Sequence, residues 1–348
     1  MTIEWLAGNR IIGTTAERPN FGLPSGSVGG WVELGRSTGT LPDISSIPDK
    51  RYYMLLNNGR SWTSGSNSSF RFNSDTGTNY TFRDSRNGAA DYTETSSART
   101  LDYIGTGSEN ELFGVSYISN LAAKEKLLVS SSVVQKTAGA GTAPSRDEVV
   151  SKWSNTSAAI NRITATSTAG AASEYVILGW DPADTHTTNF WEELASVELG
   201  TSGDTIDSGT ITAKKYLWVQ CFTKATGGTA TASIRYNSDS GSNYSFRDSD
   251  NGSESTSINE SRAGYFNAGS GTTNQFGNAF IVNNSANEKL SIVHNINQNA
   301  AGAGTAPSRR DTVAKWNNTS SQITSIQVVN TAAGSFDTGS ILKVWGSD

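Results

Sequence analysis

The passage FRFNSDTGTNYTFRDSRNG, Phe70 to Gly88, comes back 164 residues later as IRYNSDSGSNYSFRDSDNG, Ile234 to Gly252, with thirteen of nineteen positions identical. The repetition extends well beyond this motif. VELG at Val32 to Gly35 returns at Val197 to Gly200, and Phe113-Gly114 returns at Phe276-Gly277. AGAGTAPSR at Ala138 to Arg146 returns unchanged at Ala301 to Arg309, and Lys152 to Ser157 returns as Lys315 to Ser320. The closing segments YVILGW and ILKVWG set Trp180 opposite Trp345, and the offset stays between 163 and 165 residues throughout. Solenoid units run ~20 to 50 residues, so a period this long is that of a whole domain. The 348-residue chain therefore divides into an N-terminal arm (1–23), a first domain (24–181), a linker (182–190) containing PADTHTTN, and a second domain (191–348).

Within each copy the apolar pattern has period two. KRYYMLL, FRFN, YTFRD, LFGVSYIS, KLLVSSSVV, INRITATS and YVILGW are short, rich in aromatic and β-branched residues, and bounded by Gly, Asn, Ser and Asp clusters. With WVELG and a segment near TSSARTLDYI they predict eight or nine strands per copy. One short helix per copy is expected at SRDEVVSKW and SRRDTVAKW, with Ser145 or Ser308 as N-cap. The expected fold is all-β: two tandem homologous antiparallel β-sandwich domains of jelly-roll-like type, preceded by the arm.

The duplicated motif itself reads as a hairpin. Phe70 and Phe72, then Tyr80 and Phe82, alternate with Arg71, Asn73, Thr81 and Arg83, which puts aromatics on one face and arginines on the other. Asn87-Gly88 and Asn251-Gly252 supply the positive φ of a tight turn. A calcium loop is the competing reading, because Asp75, Asn79 and Asp84 offer oxygen ligands. The spacing argues against it: glycine stands third and tyrosine sixth where an EF-hand loop needs an oxygen ligand and glycine. AGAGTAPSR likewise lacks the spacing of a phosphate loop. The outward arginines Arg71, Arg83, Arg235 and Arg247, and Arg146 and Arg309 beside the expected helix, are then candidate subunit contacts. The arm, with Trp5, Leu6, Ile11 and Ile12, has the apolar surface to pack on a neighbouring subunit.

Composition narrows the function. A net charge of -5 with no Lys/Arg run gives no footprint for direct nucleic-acid binding. The N-terminus has no signal-peptide pattern, and no stretch reaches the ~18 apolar residues needed for membrane insertion as a helix. Cys221 is the single cysteine, in the strand-like context LWVQCF, which excludes an intrachain disulfide and suggests a buried thiol. His186 falls in the linker and His294 in one copy only, so no duplicated general base exists, and no cofactor, metal or catalytic set is expected. Trp153 with Trp316, and Trp180 with Trp345, read as core. Trp62, in a first-copy loop, is the candidate sugar contact.

The segments DKRYYMLL, RYNSDSGSNYSFRDSDNG, FIVNNSANEKL, AGAGTAPSRR, KWNNTSSQIT and GSILKVWGSD together resemble a family of virion structural proteins from marine bacteriophages and related environmental viruses. The resemblance covers nearly all of both copies. It implies a non-enzymatic β-sandwich subunit, made in the host cytoplasm and built in many copies into the virion through self-association, as a homo-oligomer or lattice, and contacts with other virion proteins. Capsid shell, decoration, tail and fibre all remain open. Two alternatives stand beside it: a receptor- or carbohydrate-binding module of a phage fibre that contacts a host-surface glycan, and a prokaryotic surface or appendage protein.

Overall fold

The alternating segments become strands of two large sheets, each backed by a smaller one. This is a computed structural model, which describes residues 30–61, 67–103, 111–181, 188–266 and 273–348, with only the backbone of Asp102. Across the first large sheet the strands run Val32–Thr38, Glu174–Trp180, Tyr52–Arg60, Glu111–Ser119, Lys126–Val134, Ser145–Trp153, Tyr80–Arg86 and Tyr92–Ser97. Behind it lies a four-stranded sheet of Asp43–Ser45, Arg162–Ala165, Ser68–Phe72 and Thr100–Tyr103. The second half repeats the order: Glu192–Glu198, Ile341–Ser347, Tyr216–Thr223, Gln275–Val282, Lys289–Asn297, Ser308–Trp316, Tyr244–Asp250 and Ser253–Glu260. Its backing consists of a three-stranded sheet, Thr205–Asp207, Ile326–Asn330 and Ala232–Tyr236, and a two-stranded ribbon, Ala225–Thr226 with Ser335–Phe336. The strand pairings are antiparallel. The chain is thus two tandem β-sandwiches of one topology, the fold class the repeat predicts. Among the described residues twelve strands form in the first half and thirteen in the second, more than the eight or nine expected, because strands of two or three residues carry no readable period.

Each large sheet is apolar on both faces. Tyr53, Leu55, Tyr80, Trp153 and Ile177 point inward to Ile44, Phe70, Phe72 and Ile163 of the small sheet. Their neighbours Met54, Leu56, Val176 and Leu178 point the other way, as period two requires. There they meet Tyr216, Phe280, Leu290, Ile292 and Val313, so the two large sheets stack outer face to outer face. Cys221 is buried in the second sandwich, and its burial pushes the thiol far above its ordinary range.

Several expectations need correction. SRDEVVSKW and SRRDTVAKW are strands, not helices. Ser145–Trp153 is laddered on both sides, and Asp147, Val149, Ser151 and Trp153 turn inward while Val150 and Lys152 turn out. Two complete ladders outweigh the helix propensity of a nine-residue segment. Ser145 therefore caps no helix; its hydroxyl accepts a hydrogen bond from Asn87. The duplicated motif is not one hairpin either, because Ser68–Phe72 belongs to the small sheet and Tyr80–Arg86 to the large one. Positive φ at Asn73 and Ser74, repeated at Asn237 and Ser238, turns the chain from one layer to the other. Asn73 holds that turn by accepting from the backbone N–H groups of Asn161 and Arg162 and donating to the Ala159 carbonyl. The Asn251-Gly252 turn does join two hydrogen-bonded strands, with φ of 50° and 91°.

Two repeat equivalences also shift. Pairing register matches Trp31 and Leu34 with Trp191 and Leu194, each leucine in a bulge, so the counterpart of VELG is EELA and not the later VELG. Trp180 pairs with Tyr52, whereas Trp345 pairs with Trp218, which makes Ser347 the counterpart of Trp180.

Candidate interaction surface

The corner made by the duplicated motif is closed by a tryptophan. Asp75 accepts hydrogen bonds from Trp153 Nε1 at 2.7 Å, Asn79 Nδ2 at 2.9 Å and the Gly77 N–H at 2.8 Å. Asp239 repeats this with Trp316 at 2.7 Å, Asn243 and Gly241. Burial works to raise the Asp75 carboxyl, but the three donors outweigh it and hold it below the usual carboxylate range. Tyr80 stacks on Trp153 at 6.2 Å, and Tyr244 on Trp316 at 6.1 Å. Asp75 and its counterpart Asp239 are committed to indole and amide donors, whereas Asp84 is buried on its strand and burial pushes its carboxyl up. The motif is a structural corner.

Arg71 donates from Nε to the Ala98 carbonyl and Arg235 to that of Ser261, so both tie down strands of their own sandwich. Arg83 is exposed and pairs with Asp91 at 3.1 Å. Arg146, expected on a helix surface, is buried between the two halves, 2.9 Å from Glu254 and 2.5 Å from Glu148. Arg247 lies in the same contact and donates to the Pro144 carbonyl at 3.0 Å. Arg309 remains exposed and pairs with Asp311. Trp5, Leu6, Ile11, Ile12 and Trp62 lie outside the described residues, as do the arm (1–23) and most of the linker.

The contact between halves has an apolar centre and a polar rim. Leu56, Phe113, Val115 and Val133 of the first large sheet pack on Tyr216, Phe280, Leu290 and Ile292 of the second. Asn58 and Asn284 exchange amide hydrogen bonds at 3.1 Å. Glu174 accepts from the Tyr216 hydroxyl at 2.7 Å and from Lys215; burial opposes its charge, and these partners still hold it below the usual range. Arg60 lies 2.8 Å from Glu111, yet burial dominates there and pushes the Glu111 carboxyl up to about 7. The first AGAGTAPSR loop docks on the second sandwich. Its Thr142 and Ala140 carbonyls accept from the Ser245 hydroxyl and the Asn259 N–H, and buried Lys315 donates to the carbonyls of Gln135 and Thr137.

The same positions on the first sandwich are uncovered. Register matches Tyr52, Tyr117, Leu127, Val129 and Val150 with Tyr216, Phe280, Leu290, Ile292 and Val313. Leu127, Val129 and Val150 are 56%, 56% and 49% exposed, whereas Leu290, Ile292 and Val313 are 1%, 2% and 1% exposed. Trp31, Tyr52, Tyr117, Leu127 and Trp180 line a groove of about 480 Å³ there, with Trp180 stacked on Tyr52 at 5.7 Å. A second apolar hollow of about 540 Å³ continues it over Thr81, Thr93, Val150 and Lys152. On the second sandwich the exposed large apolar side chains, among the described residues, are Ile258 on the edge strand Ser253–Glu260 and Phe276 and Ile296, the last two beside the exposed loop 301–307.

Sequence reasoning missed this face. Its signal was present in YYMLL, KLLV and VVSKW, where apolar residues occupy successive positions. In a strand that marks both faces as apolar.

No protein-family model matches the chain, and no curated protein matches it in sequence. Among solved structures, domains LG4-5 of the mouse laminin alpha1 chain are similar, at 8% identity over 91% of this chain and 90% of that one, with a TM-score of 0.20. At that score the likeness carries no argument about function.

Proposed function

We propose that this chain is a non-enzymatic structural subunit that assembles in multiple copies on a viral particle, most simply that of a phage, as a capsid, decoration or tail component. The observation that carries the assembly part is the uncovered apolar face of the first sandwich, whose counterpart in the second is buried under a neighbouring domain. Contiguous apolar surface of this kind marks interaction sites. A sheet face bordered by Arg83, Asp91 and the Lys152–Glu125 pair has the apolar centre and charged rim of a protein contact. The viral part rests on the sequence resemblance of both copies. Proteomics and immunogold labelling of particles purified from an infected host that produces this chain test it: stoichiometric incorporation is expected, and absence from the particles refutes it.

A second reading, recognition of a host-surface glycan, draws on the pair of half-buried Trp180 and exposed Tyr52 in the groove, since solvent-accessible stacked aromatics suit sugar rings. A glycan array with binding abolished by Trp180→Ala would favour it over assembly.

A further inference from the structure

The two large sheets use their outer faces unequally. Leu56, Phe113, Val115 and Val133 of the first cover Tyr216, Phe280, Leu290 and Ile292 of the second. A two-fold relation between the halves would bury the reciprocal set as well: Phe276 and Ile296 against Tyr52, Tyr117, Leu127 and Val129. Those are instead among the exposed apolar side chains. The contact is therefore heterologous, and each chain retains an uncovered receiving side and, at the register equivalents of Leu56, Phe113, Val115 and Val133, an uncovered docking side of Gln220, Phe276, Asn278 and Ile296.

We propose that a second copy of this chain docks the Phe276 and Ile296 face of its second sandwich, with its loop 301–307, onto the Tyr52, Tyr117, Leu127, Val129 and Val150 face of the first sandwich. The inference rests on reading the protein as an assembling subunit, and it names the partner and the surface. Three further correspondences support that partner. The docking loop is identical in both copies, Ala138 to Arg146 and Ala301 to Arg309, but only the first has a surface to dock on within the chain. The groups that receive the first loop, Ser245, Arg247 and Lys315, have counterparts in Thr81, Arg83 and Lys152 on the first sandwich. The charges also match: Arg146 meets Glu254, which itself neighbours Arg247, and the equivalent positions hold exposed Arg309 and the Asp91–Arg83 pair. A heterologous contact repeated between chains closes into a ring or continues as a filament, according to its rotation.

Two full-length variants test this by sedimentation velocity. Val129→Glu/Val150→Glu blocks the receiving face, and Ile296→Glu/Arg309→Glu blocks the docking face; the substituted side chains are exposed, and unchanged melting curves confirm folding. Wild type is expected to assemble beyond a dimer. Each variant alone should sediment as a monomer, and an equimolar mixture should yield a 1:1 heterodimer that grows no further, since one functional side survives on each. Wild-type assembly combined with variants that assemble alone, or with a mixture that stays monomeric, overturns the head-to-tail contact and leaves the assembly reading standing. A wild type that stays monomeric at every concentration overturns both.

Discussion

Replacing Asp75 with alanine removes one carboxylate and strands three donors. The indole N–H of Trp153, 2.7 Å from Asp75 Oδ2, belongs to one of the largest fully buried side chains, and beneath a half-exposed Asp75 it regains at most partial access to water. A buried donor left unpaired costs about 1–3 kcal/mol, and each charge-assisted hydrogen bond contributes about 1.5–3 kcal/mol. Asn79 and the Gly77 N–H sit in the exposed part of the turn and recover partners from solvent, so their loss adds little. The net expectation for Asp75→Ala is a loss of about 2–4 kcal/mol, or roughly 5–15 °C in melting temperature for a domain of this size. Asp239→Ala should cost the same in the second sandwich, and the two losses should add across separate domains. The sign with pH follows from the depressed carboxyl of Asp75. Its contribution is present above the unfolded carboxylate range near ~4 and is lost as pH falls through the lower folded value. Urea unfolding followed by tryptophan fluorescence, with and without the substitution at pH 7 and below 4, measures both. A change below about 0.5 kcal/mol at pH 7 would refute the corner as a structural lock.

Glu111 makes the opposite pH prediction. Burial holds its carboxyl up to about 7, so its contribution is complete below the unfolded value near 4.5 and declines as pH rises through 7. Glu111→Gln should flatten that part of the stability profile, by on the order of 3 kcal/mol at most, and an unchanged profile counts against the assignment. Arg146→Ala removes the nearer of two cations from Glu254, leaving Arg247 at 3.7 Å, and should cost about 2–5 kcal/mol in chemical denaturation. Arg309→Ala, at the equivalent but exposed position, should change stability by less than about 0.5 kcal/mol; equal losses at both sites would contradict the unequal use of the two faces. Leu127→Ala should likewise leave stability within about 1 kcal/mol, while Leu290→Ala, at the buried counterpart, should cost about 2–5 kcal/mol.

Much of the fold was legible because its signals are local. FRFN and YTFRD alternate visibly, the repeated Asn-Gly pairs mark turns, and a 164-residue offset can only be a duplicated domain. The errors arose where a tertiary partner decides the outcome. Nothing in NSDTGTN reveals that Phe72 and Tyr80 belong to different layers, because the information lies in Asn73 bonding to Asn161, 88 residues away. SRDEVVSKW reads as a short helix until the strands on both its sides are known. The similarity of VELG to the later VELG masked the true counterpart EELA, which only the bulge register reveals. The candidate surface was obscured for a related reason. Both copies carry apolar residues at the same positions, and no sequence pattern states that one copy of the face is covered and the other is not.

The central claim, that the first sandwich carries an unused assembly face, is tested most directly by negative-stain electron microscopy of the purified full-length protein over a range of micromolar concentrations. Rings or filaments with a two-sandwich repeat, lost on Val129→Glu/Val150→Glu, are the predicted result. Uniform single particles the size of one chain at every concentration would contradict it.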